Sequence, residues 1–171
     1  KAAQKLGREF PWLSIHAICA DFSDQWQART QLKAGRRVVF YPGSTIGNME
    51  PQVAQAFLSN LREWIGHDGS VLIGVDLDKP EHLLNAAYND AQGVTAQFNL
   101  NVLNSVNSLV NADFDPEGFS HLAFYNSDLR RIEMHLVSKG SQTVNIGGRL
   151  FQFNKGETLH TENSYKYSLA S

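Results

Sequence analysis

Apolar residues along the first half of this chain gather in short blocks separated by polar stretches with helix-forming composition. Leu13–Ala20 (LSIHAICA) is mostly apolar and bounded by Pro11 and Asp21, as expected of a buried strand. Polar helix formers follow over Ser23–Lys33, and a second apolar run, RRVVFYPG, stops at Pro42-Gly43. Glu50-Pro51 opens a helix with proline in its first turn, where a missing N–H costs nothing. Val53, Phe57, Leu58, Leu61, Trp64 and Ile65 then recur at helical spacing until Gly66. A third buried strand is expected at Ser70–Leu77 (SVLIGVDL). Strands alternating with helices predict a parallel sheet with helical crossovers.

After Asp78 the pattern changes. Pro80–Tyr88 and Gly93–Val110 read as helices. Beyond Asp113, FSHLAFYN, RRIEMHLVS, QTVNI and RLFQF alternate apolar with polar positions between turns, which predicts an antiparallel sheet of four segments. The closing GETLHTENSYKYS is polar and extended. The pattern as a whole is α/β, half a Rossmann-like unit followed by an α+β module.

Composition removes several functional classes. The 171 residues are 42% hydrophobic, enough for a sizeable core, with a formal charge of −2. Basic residues cluster no further than the pairs Arg36-Arg37 and Arg130-Arg131, so neither a nucleic-acid nor a membrane-surface partner is expected. Cys19 is the single cysteine, which excludes an intrachain disulfide framework and suits a reducing, cytoplasmic setting, with Cys19 as small core filler. The chain opens on Lys1 rather than Met, and reads as a fragment or a processed product.

There is no G-x-G-x-x-G loop and no P-loop. The GSTIG stretch at Gly43–Gly47 has serine in the second position, not the third that a nucleophile elbow needs. The histidines at 16, 67, 82, 121, 135 and 160 show no metal-ligand spacing, so no metal site is expected. In open parallel sheets ligands sit beyond the carboxyl ends of strands. Three such ends are visible: Asp21-Phe22, the loop Tyr41–Asn48, and Asp76–Asp78. Asp21 could accept from an exocyclic amino group or simply cap the following helix, and local signals favour the cap. The small residues of the second loop allow close backbone approach to a ligand. Asn48 could face that ligand or cap the next helix, and here too local signals favour capping.

FYPGSTIGN, AYNDAQGVTAQFNLNVLNSVN, ADFD, RIEMHL and GETLHTENSYKY occur in an order that resembles the L-histidine Nα-methyltransferase family of ergothioneine biosynthesis. The resemblance runs from about Ala20 to Tyr167. It implies a partial Rossmann-like class I methyltransferase domain over 1–78, an inserted α+β substrate-binding domain over 79–162, and a return to the first domain over 163–171. It implies S-adenosylmethionine as cofactor and L-histidine as substrate, carried stepwise to the trimethylated betaine hercynine.

Matched position by position, Asp21 and Phe22 would bind the adenine end of the cofactor. Gly43 and Thr45 would line the point where amine meets methyl donor, making them, with Asn48, the catalytic set. Asn48 and Tyr88 would hold the α-carboxylate and amine end, Met134 would wall the ring pocket, and Glu162 with Ser164 would hydrogen-bond the imidazole. Taken singly, Tyr88 and Met134 read rather as core fillers and Glu162 as a solvated strand carboxylate; in family register the functional reading prevails.

The family's glycine-rich cofactor loop, its ribose-binding acidic residue and part of its substrate pocket would lie before Lys1. Further elements would follow Tyr167. The chain alone is therefore expected to bind cofactor poorly, to lack turnover and to self-associate through exposed sheet edges, whereas the full-length protein would be a monomer. The competing expectations are a related methyltransferase acting on another amino acid, and a non-catalytic binding or interaction module.

Overall fold

The computed structural model describes residues 1–19 and 35–169. Asp21, Phe22 and the helix expected over Ser23–Lys33 lie outside the described residues. A first helix, α1 (Ala2–Glu9), buries none of its residues.

Two parallel strands, β1 (Val38–Tyr41) and β2 (Ser70–Ile73), pair in register from Val38 opposite Ser70 to Tyr41 opposite Ile73. Helix α2 (Pro51–Ile65) connects them, starting at Pro51 and ending at Gly66, whose φ of 75° lies in the left-handed region. Ala54 and Leu61 are its buried residues, and Phe57 packs its ring 5.0 Å from that of Tyr41 on β1. This is the alternation the periodicity predicts.

Three expectations for this half need correction. Leu13–Cys19, the described part of the expected first strand, forms no strand, and Leu13, Ile15 and Ile18 are exposed. An apolar run becomes a strand only when a neighbouring backbone completes its ladder, and among the described residues β1 and β2 pair only with each other. Cys19 is exposed as well, not core filler. The third strand stops at Ile73 rather than Leu77, because its partner β1 ends at Tyr41, before Pro42; further on, Leu77 forms only an isolated parallel bridge with Tyr167.

Helices α3 (Glu81–Tyr88) and α4 (Val94–Val110) match the expected helices. The antiparallel half differs in connectivity. Strands β3 (Phe119–Asn126), β4 (Arg131–Ser138) and β7 (Thr158–Tyr165) form one sheet with β4 in the centre. Strands β5 (Gln142–Ile146) and β6 (Arg149–Phe153) form a separate hairpin turned by Gly147-Gly148, both at positive φ. The four segments expected in one sheet therefore divide between two, and the polar tail supplies the third strand of the main one. The hairpin's apolar Val144 and Phe153 pack onto a core with Leu103, Phe114, Phe119 and Leu136 instead of extending the ladder. Strand β7 runs unbroken through residues 162 and 163, where the sequence suggests a domain boundary.

A second core lies between α3 and the same sheet, formed by Leu84, Ala123, Ile132 and Met134, with Tyr88 and Tyr125 packed at its margin. Among the described residues, no helix is long and apolar enough to cross a membrane.

Candidate functional site

Strand β7 carries the side chains that matter, and a bulge decides which face they occupy. Met134 lies opposite Glu162 and His135 opposite His160, so Thr161 has no partner across the ladder. Side chains in a strand alternate between faces, and one inserted residue reverses the alternation beyond it. The bulge thus puts Glu162, Ser164 and Lys166 on the face of Met134 and Ile132, toward α3. Asn99 of α4, 2% exposed, holds it in place: its Oδ1 accepts from Thr161 Oγ1 (2.6 Å) and its Nδ2 donates to the His135 carbonyl (3.0 Å).

The loop after β1 is fastened against this strand. Gly47 sits so close to β7 that an added Cβ would lie 2.9 Å from the Tyr165 carbonyl oxygen. Ser44, at φ 58°, accepts from the Asp76 backbone N–H through its Oγ (2.8 Å). Glu50, the residue before α2, accepts from Arg131 Nη1, Asn163 Nδ2 and the Tyr165 hydroxyl, on the opposite face of the sheet. These contacts fix the 3-10 turn Thr45–Asn48 over the end of β7. Gly43 and Thr45 are exposed there beyond the carboxyl end of β1.

Asn48 does not cap α2; its Nδ2 donates to Glu162 Oε1 at 2.6 Å. Side chains that the resemblance assigns to opposite ends of a substrate are thus in direct contact. Burial pushes the Glu162 carboxyl above its usual range. Met134 is 4% exposed within the α3 core, facing Glu162 across the strand pair.

Tyr88, Ser164 and Lys166 form a closed triangle of polar atoms. The Tyr88 hydroxyl donates to Ser164 Oγ at 2.8 Å, and Lys166 Nζ donates to Ser164 Oγ (2.8 Å) and to Tyr88 Oη (3.0 Å). The Lys166 ammonium also lies 4.8 Å from the centre of the Tyr88 ring and 3.1 Å from Asp76 Oδ2. Its side chain is 1% exposed. Burial raises the Asp76 pKa, but Lys79 and Lys166 outweigh it and hold that carboxyl below its usual value. A substrate carboxylate could take the Tyr88 proton only by breaking its bond to Ser164.

The sequence reading missed Lys166, Asp76 as its partner, and Asn99. Period-two spacing places Lys166 on the face of Ser164, but nothing in SYKY says that the face is buried. It also missed that antiparallel pairing stacks His135 on His160, ring centres 4.5 Å apart, beside Glu133. One donor atom from each of these three lies within 4.8 Å of the others, on the face away from Glu162. Glu133 is already engaged there by Arg131 at 2.8 Å and by Asn126 at 3.0 Å, so its charge has a partner without a metal ion.

A model of the family described as histidine-specific methyltransferase, SAM-dependent, matches residues 1–171. The histidine N-alpha-methyltransferase of Mycolicibacterium smegmatis is 42% identical over 97% of this chain and 52% of its own length. The enzyme of the same name from Mycobacterium tuberculosis is 40% identical over 96% of this chain and 51% of its own length. Ergothioneine biosynthesis protein 1 of Schizosaccharomyces pombe is 28% identical over 91% of this chain and 21% of its own length. The chain spans about half the length of the bacterial relatives it matches. With a family model covering every residue, this chain belongs to the SAM-dependent, histidine-specific methyltransferases.

Proposed function

We propose that the protein to which this chain belongs methylates the α-amine of L-histidine with S-adenosylmethionine, stepwise, to the trimethylated betaine. The observation that carries the substrate assignment is the edge of β7, where a hydroxyl, Ser164, and a half-buried carboxylate, Glu162, stand two residues apart on one face. Two residues of strand span about 6.6 Å. An imidazole ring with a hydrogen bond at each nitrogen needs roughly 7 Å between its two partners. Few other amino-acid side chains offer an N–H and a lone pair at opposite sides of a flat ring.

Bound S-adenosylmethionine supplies a methyl group on a sulfonium, electrophilic enough to need little acid–base help. The exposed loop Gly43–Thr45 suits it, since glycine at φ 82° leaves the backbone open to a ligand. The protein's part is to hold a neutral amine in line with that methyl, and such positioning supplies much of the rate. Each transfer releases one amine proton, which water or a carbonyl accepts.

The histidine ring N–H takes the place of Asn48 on Glu162. The freed Asn48 amide, still fixed by its turn against β7, then meets the amino-acid end. Tyr88 serves the ring side in this reading, through Ser164. Anchoring the ring leaves the amine head free to grow through successive methylations.

A carboxylate facing an apolar side chain would be left unpaired, which disfavours apolar amino acids. Glu162→Ala in the full-length protein should lower kcat/KM for histidine roughly ten- to hundredfold and narrow its lead over phenylalanine. Wild-type histidine kinetics in that variant would remove Glu162 from ring recognition.

A further inference from the structure

We infer that Lys166 is a positioning residue that fixes the direction of the Ser164 hydroxyl proton, and thereby the ring nitrogen the pocket accepts. The inference rests on the histidine reading and comes from counting protons. A lysine ammonium has three N–H donors and no acceptor. Tyr88 Oη, Ser164 Oγ and Asp76 Oδ2 occupy all three, at 3.0, 2.8 and 3.1 Å. Lys166 therefore has no N–H to spare for a substrate unless it gives up a partner.

Both hydroxyl oxygens accept from Lys166, and their own contact at 2.8 Å holds one proton between them. Two hydroxyls bring two protons, so one must point out of the triangle. A phenol is the more acidic hydroxyl and the better donor, so Tyr88 supplies the shared proton. Ser164 then accepts twice, its lone pairs are full, and its O–H can only donate outward. Among the described residues it has no other acceptor. The pocket edge thereby presents a hydroxyl donor at Ser164 and an acceptor at Glu162, which together match a neutral imidazole with its N–H toward Glu162.

The test compares histidine with its two ring-N-methylated isomers as substrates of the full-length enzyme. Wild type should reject both, because the methyl group replaces the only N–H in either isomer, so neither can donate to Glu162. One isomer sets its methyl against Ser164 and the other sets it against Glu162. Lys166→Met should raise the histidine KM roughly tenfold with kcat largely kept. It should narrow the gap for one isomer only, the same one that Ser164→Ala favours, while Glu162→Ala favours the other. The double variant with Ser164→Ala should cost no more than the larger single change.

Should Lys166→Met not fold, Tyr88→Phe carries the same test, since it removes the proton that fills Ser164 and should favour the same isomer. Equal losses on all three substrates, or additive losses in the double variant, would overturn the role of Lys166. A wild-type enzyme that does not methylate histidine would instead overturn the functional reading beneath it.

Discussion

At the scale of single residues, the site is governed by which polar groups keep their partners when covered. Glu162 is the clearest case, because burial favours its neutral form and raises its pKa. A carboxyl whose folded pKa lies above its unfolded value adds nothing at low pH, where both states are protonated. Its cost to folding appears as pH rises through the ordinary carboxylate range, and is complete above the folded value. Glu162→Gln keeps an oxygen for the Asn48 amide and removes this cost. Its melting temperature should gain on the wild type as pH rises from about 4 toward neutral, then hold a constant lead. Parallel curves across that range would show that the carboxyl is not desolvated. The family motifs made Glu162 and Ser164 legible in the sequence. Lys166 was not, because lysine is almost always exposed and only the packed triangle shows otherwise.

At the scale of elements, the site depends on a loop, a bulge and a helix meeting at one end of β7. The loop reaches the strand only because Gly47 has no side chain; an added Cβ would stand 2.9 Å from the Tyr165 backbone oxygen. Backbone cannot swing aside as a flexible side chain would. Gly47→Ala should cost about 1–3 kcal/mol of stability and raise the histidine KM by displacing Asn48. An unchanged denaturation midpoint would mean that the loop is free to lift from the strand. Helices α2, α3 and α4 were legible because proline, glycine and helical spacing mark them locally. The bulge at Thr161 was not, since alternation gives two faces without saying which one turns inward. Asn99, 62 residues away, holds it. The run at Leu13–Cys19 misled for a related reason: apolar alternation describes a strand's faces but cannot supply its neighbour.

At the scale of the whole molecule, the two halves differ in how completely they are covered. Phe119, Ile132 and Leu136 in the antiparallel half are at most 1% exposed, whereas Val38, Phe40 and Leu72 on the parallel pair stand 61–67% exposed. Parallel sheets ordinarily have both faces covered. The residues proposed to face the substrate, Tyr88, Glu162 and Ser164, lie in the well-packed half, whereas Gly43 and Thr45 lie on the loop of the less covered one. Histidine methylation therefore has to be tested in the full-length protein. That protein should be incubated with S-adenosylmethionine and each of the twenty amino acids in turn, with products read by mass. Histidine alone gaining three methyl groups is the predicted result. Methylation of a different amino acid in its place would contradict the ring-recognition role of Glu162 and Ser164, and no methylation of any would contradict the proposed function itself.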